Sequence, residues 1–246
     1  MRALQSVNCW SDKKDIEILT LKQANKLYED IKEYSPKTKV IQSHAPRNEK
    51  QFDEVYRLRA DAIEINSRWF KGSHKKPIKL LYDEHLDLNT QEYRRFVKRK
   101  VSAFNEFIQG IDRSVLGVPL LFKLARQEQE MPLLDQLAFA VDGFTFSDSE
   151  TIGVYYSSPT NSPGLYWGKS SRCGEGLRAE TMTLVHILSE RFSDTYFSAS
   201  GGIMNAQDAQ EAVHAGASSV QLCSAIYYHG FSVITDIKEA LKTRRS

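Results

Sequence analysis

The chain has 246 residues, 41% hydrophobic and 26% charged, which is typical of a soluble globular protein with one large domain or two small ones. Its formal net charge of +2 excludes a strongly basic surface, so no nucleic-acid partner is predicted. Its apolar runs are shorter than the ~18 residues of a membrane span, so no membrane association is predicted either.

The three cysteines, Cys9, Cys173 and Cys223, are far apart in the sequence and show no C-x-x-C spacing. An odd number without metal-ligand spacing predicts neither a disulfide framework nor a metal site. The first residues also lack the apolar core of a signal peptide. A cytoplasmic location is therefore predicted.

Short apolar segments alternate with helical periods along the chain. The first helical face carries Leu21, Ala24, Tyr28 and Ile31. Six strands are predicted, at 39–44, 61–66, 118–125, 142–148, 194–200 and 218–224. Further helices are predicted at 90–108, 128–140, 177–191, 205–216 and 232–243.

This alternation predicts an α/β fold made of parallel β-α-β units, with a TIM-type (β/α)8-like barrel as the leading architecture and a doubly wound sheet as the alternative. Only six strands are clear, and the segment 2–8 is the candidate for a seventh, so the barrel is expected to be N-terminally incomplete. One domain is predicted over 1–246, with long loops at 67–88 and 150–172 and a β-hairpin around Thr160–Pro163.

The stretch "SASGGIMNAQDAQEAVHAGASSVQLCSAI", residues 198–226, places a small-residue turn after each of the last two predicted strands. Glycines let main-chain N–H groups approach a ligand, and helix N-termini favour anions. The loops after the last two strands of a barrel are a frequent phosphate site. A phosphate site is therefore predicted here. If only one of the two turns is considered, the alternative is that its small residues merely allow a tight turn and bind no ligand.

The same stretch resembles the FMN-phosphate segment of dihydroorotate dehydrogenases and of the pyrimidine-reducing domain of dihydropyrimidine dehydrogenase, with the pattern G-G-[IV]-x-[ST]-x-x-[DE]-A. "GEGL", residues 174–177, resembles the flavin loop that precedes the phosphate strands in this family. The resemblance implies that FMN is the cofactor, and that it is bound by Gly174, Gly176, Ser200, Gly201, Gly202, Cys223 and Ser224.

Further matches follow the family order along the chain. "VPLLFKLA" resembles the strand whose lysine bonds the flavin ring, which implies a cofactor-binding and catalytic role for Lys123. A lysine that reaches solvent from the strand end is the alternative. "ADAIEIN" and "LQSVNCW" resemble segments whose asparagines contact a pyrimidine, which implies substrate roles for Asn66 and Asn8. "GFTFSDS" similarly implies Asp148 at the substrate and Ser149 at the cofactor.

The sequence also departs from the family pattern. Trp69 stands where the family has its general base, and Trp has no acid or base function. His85 in the loop 67–88 is the candidate proton donor, with an exposed loop histidine as the alternative. Asp148 replaces the family's Asn, and a carboxylate that only accepts hydrogen bonds disfavours an anionic ligand such as orotate.

The resemblance implies an FMN-dependent oxidoreductase that transfers a hydride between flavin and the C–C bond of a pyrimidine-like ring. Two alternatives stay open: a non-catalytic or partner-dependent homologue that keeps the FMN-phosphate site, and a phosphate-binding barrel of another class, such as an isomerase or aldolase. The family has two more β-α units before "LQSVN". We therefore expect a homo-oligomer or a second chain that completes the barrel, with a fold that closes differently and a fragment of a longer product as the alternatives.

Overall fold

A computed structural model describes residues 19–44, 54–66, 110–124, 133–146, 150–157, 165–172 and 174–242. The chain divides into two compact units, Glu17–Thr145 and Phe146–Ser246, the latter grouped with Met1–Ile16. Hereafter these are the first unit and the second unit. The predicted single domain stays a prediction.

The first unit contains parallel strands in the order β1-β2-β3-β4. In β1–β2, Ser43 pairs with Glu64, and in β2–β3, Asn66 pairs with Lys123. Each strand lies inside a range predicted from the sequence. The helices and strands are α1 (Leu21–Tyr34), β1 (Ile41–His44), β2 (Ala62–Asn66), α2 (Arg113–Leu116), β3 (Leu120–Leu124), α3 (Leu133–Leu137) and β4 (Gly143–Phe146), with a 3-10 turn at Val55–Arg57.

The core of the first unit is built from strand residues that are apolar almost without interruption. Ile63 and Ile65 of β2 and Phe122 and Leu124 of β3 are fully buried. Strands of a parallel sheet are covered on both faces, which is why they lack the polar alternation of a half-exposed strand. Glu64 is the exception within β2, since it is a buried carboxylate in an apolar run.

In the first unit, two aspartates that precede strands accept backbone hydrogen bonds and stabilise the starts of those strands. Asp61, just before β2, accepts a hydrogen bond from the Val40 N–H at 2.8 Å and lies 2.6 Å from the Lys32 Nζ. These contacts lower the pKa of Asp61 to about 2, and the hydrogen bond from Lys32 is the largest cause. Asp142, just before β4, accepts from the Leu120 N–H at 2.6 Å and is ion-paired with Arg113.

The second unit begins with an antiparallel hairpin and continues as β-α units, with β7 and β8 parallel. The hairpin predicted within 150–172 is confirmed by its two strands, whereas its turn lies outside the described residues. The helices and strands are β5 (Glu150–Ser157), β6 (Leu165–Arg172), α4 (Arg178–Arg191), β7 (Tyr196–Ser200), α5 (Ala206–His214), β8 (Ser219–Gln221), α6 (Ser224–His229) and α7 (Ser232–Lys242), with a 3-10 turn at Glu175–Leu177.

Helices α4 and α5 are tied together at both ends. At their starts, Arg178 is ion-paired with Asp208, its Nε lying 2.6 Å from the Oδ1. At their ends, the Ser189 hydroxyl donates to the Ala215 carbonyl at 2.9 Å. The neighbouring Gly216 sits so close that a Cβ there would lie 2.1 Å from the Ser189 Oγ. The two helices are therefore fixed in register along their length.

Parallel strands that alternate with helices confirm the predicted α/β class, and the fold is a partial TIM-type barrel. The sequence did not anticipate α6, because the last strand ends at Gln221 and a short helix starts directly at Ser224. The predicted segments 2–8 and 90–108 lie outside the described residues. Among the described helices, none is both long and apolar enough to cross a membrane.

Candidate cofactor site

The turn that follows β7 is held from behind by helix α4. Ser200 is buried, and Gly201 and Gly202 have positive φ angles of 99° and 84°. The buried Thr181 hydroxyl lies 3.2 Å from the Ser200 carbonyl and 2.7 Å from the Gly201 carbonyl. The conformation of the turn is thus set by a side chain of the helix that precedes β7.

Gly202 lies directly against the start of α4. A Cβ at this position would lie 2.3 Å from the Arg178 nitrogen and 2.5 Å from its Cα, far inside contact distance. Both the positive φ and this close approach require a residue without a side chain. The turn therefore brings its main chain, rather than side chains, to the first turn of α4.

The predicted flavin loop meets the predicted second phosphate turn at Gly174 and Ser224. A Cβ on Gly174 would lie 3.6 Å from the Ser224 Oγ. Gly174 has φ 80° and ψ −156°, which only glycine adopts readily. Gly176 lies in the 3-10 turn that leads into α4, and Cys223 is the N-cap residue of α6.

Taken together, these contacts join three segments that are distant in sequence: the loop at 174–177, the turn at 200–202 and the turn at 223–224. The first leads directly into Arg178, on which Gly202 packs, and its Gly174 lies near the Ser224 side chain. Main-chain N–H groups and serine hydroxyls are donors that suit a phosphate. The residues present therefore fit the phosphate of a cofactor such as FMN.

The start of α5 already carries a negative charge. Asn205 caps the helix by accepting from the Asp208 N–H at 3.0 Å, and the buried Asp208 carboxylate accepts from the Met204 N–H at 2.9 Å. Arg178 is ion-paired with Asp208 and with Glu211. A buried carboxylate repels a second anion. The 200–202 turn is therefore better suited to a phosphate than the N-terminus of α5.

Polar side chains share one face of the sheet in the first unit. Asn66 and Lys123 are register partners at the ends of β2 and β3, and both are half-buried. Glu64 is two residues before Asn66 and thus on the same face. Its carboxylate accepts from the Ser43 hydroxyl at 2.7 Å and from the Thr145 hydroxyl at 2.5 Å.

The bond between Glu64 and Thr145 shows how this face is curved. Glu64 belongs to β2 and Thr145 to β4, and β3 lies between those strands. Two strand spacings amount to roughly 9.6 Å in a flat sheet, so side chains that meet across β3 do so on a concave face. Asn66 and Lys123 stand on that same face of the first unit's sheet.

The structure brings together only some of the residues singled out from the sequence. Gly174 lies near Ser224, Gly202 packs on the helix that follows the 174–177 loop, and Asn66 pairs with Lys123. The remaining candidates lie outside the described residues: Asn8, His85, Asp148 and Ser149, as does Trp69.

Two contributors escaped the sequence reasoning. Glu64 has a usable signal, because a buried carboxylate inside the apolar run "AIEIN" must find hydrogen-bond donors, here the hydroxyls of Ser43 and Thr145. Thr181 has none, because a threonine in a helix gives no hint that its hydroxyl reaches a turn 19 residues later.

Two comparisons with known proteins point to the same family. A sequence model of the family "Dihydroorotate dehydrogenase" matches residues 87–244. The chain is also similar to the dihydroorotate dehydrogenase (quinone) of Dichelobacter nodosus (strain VCS1703A), with 30% identity over 125 residues. That similarity covers 48% of this chain and 35% of the relative, so the chain matches about a third of the length of that protein.

Proposed function

The chain belongs to the dihydroorotate dehydrogenase family, and we propose on that premise that it binds FMN and acts as a flavin-dependent oxidoreductase. The proposed reaction passes a hydride between the flavin and a C–C bond of a pyrimidine-like ring. A small pyrimidine-like molecule is the proposed substrate.

One observation carries the proposal: the loop at 174–177 and the turns at 200–202 and 223–224 are neighbours in the second unit. Gly202 lies on the Arg178 main chain, and Gly174 is close enough to Ser224 that an added Cβ would contact the serine side chain. The family resemblance assigns the two turns to the phosphate of FMN and the loop at 174–177 to the flavin loop that precedes the phosphate strands. Their main-chain and hydroxyl donors, with the turn fixed by Thr181, make a cradle for a dianion.

Bound FMN would supply the hydride acceptor, and the chain would contribute binding, orientation and charge. Lys123 would hold a positive charge against the flavin ring as negative charge develops on it. Asn66, its register partner, offers both a donor and an acceptor, which suits an amide or imide edge of a pyrimidine. His85 remains the proposed acid–base residue: it would accept the proton that the ring loses when the flavin takes the hydride, and it would donate a proton in the reverse direction.

The test is to purify the protein, measure the visible absorbance of bound flavin, and titrate any apoprotein with FMN. We expect tight FMN binding and bleaching of the flavin when an uncharged dihydropyrimidine is added without oxygen, with dihydroorotate, an anion that Asp148 disfavours, as the slower comparison substrate. Lys123→Met is the variant to compare, since it keeps the length of the side chain and removes its charge. It should still bind FMN and lower the bleaching rate by about 100-fold.

A protein that takes up no FMN would refute the proposal. FMN binding without bleaching by any such substrate would instead favour the non-catalytic or partner-dependent homologue. Size and mass of the native complex, measured on the same sample, test the proposed homo-oligomer or second chain.

A further inference from the structure

We propose that Thr181 is a positioning residue that aims the N–H groups of the 200–202 turn at the cofactor phosphate. The inference rests on the proposed FMN site and names a residue that would control it without touching FMN. Thr181 is completely buried in α4, and its hydroxyl faces the Ser200 and Gly201 carbonyls at 3.2 and 2.7 Å.

Fixing a carbonyl also fixes the N–H on the other side of the same peptide plane. In a trans peptide the C=O of one residue and the N–H of the next point in opposite directions. The described peptide bonds include no cis form. Because the Ser200 and Gly201 carbonyls point toward Thr181, the N–H groups of Gly201 and Gly202 point away from it. Those are the amides that the proposed site presents to a phosphate.

The two glycines of the turn make the hydrogen bonds from Thr181 necessary. Gly201 and Gly202 have no side chain to restrict their φ and ψ angles, so an unsupported Gly-Gly turn would populate many peptide orientations. Each orientation that must be selected on binding weakens the measured affinity. A hydroxyl that selects one orientation beforehand therefore strengthens phosphate binding.

The surroundings of Thr181 hold the hydroxyl in place. Arg178 is one helical turn earlier in α4, and its main chain is the surface on which Gly202 packs. Arg178 is in turn ion-paired with Asp208 and Glu211 of α5. The start of α4 thus contributes both the Thr181 hydroxyl and the main chain on which the turn packs. It is also held to α5 by the ion pairs of Arg178.

The experiment compares the dissociation constants of FMN and riboflavin, which differ in the phosphate, by flavin fluorescence. Thr181→Val keeps the volume of the side chain and removes its hydroxyl, whereas Thr181→Ser keeps the hydroxyl. We expect Thr181→Val to weaken FMN binding by about tenfold and to leave riboflavin binding unchanged. Thr181→Ser should bind FMN as the wild type does.

Thr183→Val is the matched control, because Thr183 is an exposed threonine of the same helix whose hydroxyl bonds only its own helix, at the Ala179 carbonyl. It should leave both dissociation constants unchanged. If Thr181→Val does not fold, Thr181→Ala removes the same hydroxyl and takes its place. Unchanged FMN binding in the hydroxyl-free variant, or equal weakening of FMN and riboflavin, would overturn the proposal. Failure of the proposed function has a different signature, since the wild type itself would then bind no flavin.

Discussion

In both units, a side chain just before one strand accepts a backbone hydrogen bond from the neighbouring strand segment. The two units use different side chains for this. In the first unit, Asp61 and Asp142 each precede a strand and accept the N–H of a residue at the start of the neighbouring strand. In the second unit, Ser218 precedes β8, and its hydroxyl accepts from the Phe197 N–H of β7 at 3.2 Å. The same structural task is done by charged groups in one unit and by a neutral group in the other.

The candidate functional residues divide in the same way. In the first unit they are side chains on a concave face, Asn66 and Lys123 above the buried Glu64. In the second unit they are glycine and serine turns that act largely through the main chain. The first unit should therefore be sensitive to the loss of polar side chains and to acid. The second should be sensitive to any added atom at a turn.

The largest effect is expected for Gly202→Ala in the second unit. The new Cβ would meet the Arg178 main chain at 2.3 Å, and the φ of 84° is unfavourable for alanine. We expect a loss of about 3 kcal/mol or more in the free energy of unfolding. Gly230→Ala is the matched control, because Gly230 has φ 72° but open space around it, and it should lose only about 1 kcal/mol. Urea titration measures both, and equal losses would show that the contact with α4 is unimportant.

Next in size is Glu64→Ala in the first unit. Removing the carboxylate leaves the buried Thr145 hydroxyl without its acceptor and takes away the partner of the exposed Ser43 hydroxyl, so a loss of about 2 kcal/mol is expected. Glu33→Ala, at an exposed position of α1, should change stability by less than about 0.5 kcal/mol. Thermal unfolding of both variants measures the two losses of stability. If Glu64→Ala matches its control, the polar face does not hold the first unit together.

The smallest effects distinguish the charged acceptor, Asp61, from the neutral acceptor, Ser218. Asp61 has a folded pKa of about 2 against an ordinary 3.8, so its stabilisation is complete above that ordinary value and is lost as the pH falls toward 2. Asp61→Asn keeps an acceptor for the Val40 N–H and removes the charge opposite Lys32. It should lose stability at neutral pH and be less destabilised than the wild type by acid.

Ser218→Ala is the neutral counterpart and should cost about 0.5–1 kcal/mol at every pH. Both variants are followed by urea unfolding between neutral pH and about pH 2. A Ser218→Ala effect that changes with pH, or an Asp61→Asn effect that does not, would contradict the division between charged and neutral fastening.

The sequence marks the candidate turns of the second unit more clearly than the candidate side chains of the first unit, for a physical reason. A turn that needs positive φ angles and close approach can be met only by glycine, so Gly202 and Gly174 identify the candidate turns in the sequence itself. The strands were predictable because β2 and β3 are apolar almost throughout. The contacts of Glu64 and Thr181 join residues far apart in the chain, and no local pattern specifies which partners they reach.

The double tie between α4 and α5 constrains how this part of the chain can change in evolution or engineering. One residue inserted between Asp208 and Ala215 would rotate the rest of α5 by about 100° and advance it by about 1.5 Å. Either the Arg178 ion pair or the contact of Ser189 with Ala215 and Gly216 would then be lost. Substitutions on the exposed side of α5 should be tolerated, whereas insertions and deletions within it should not. The length of this helix, more than its composition, keeps the proposed phosphate turn in place.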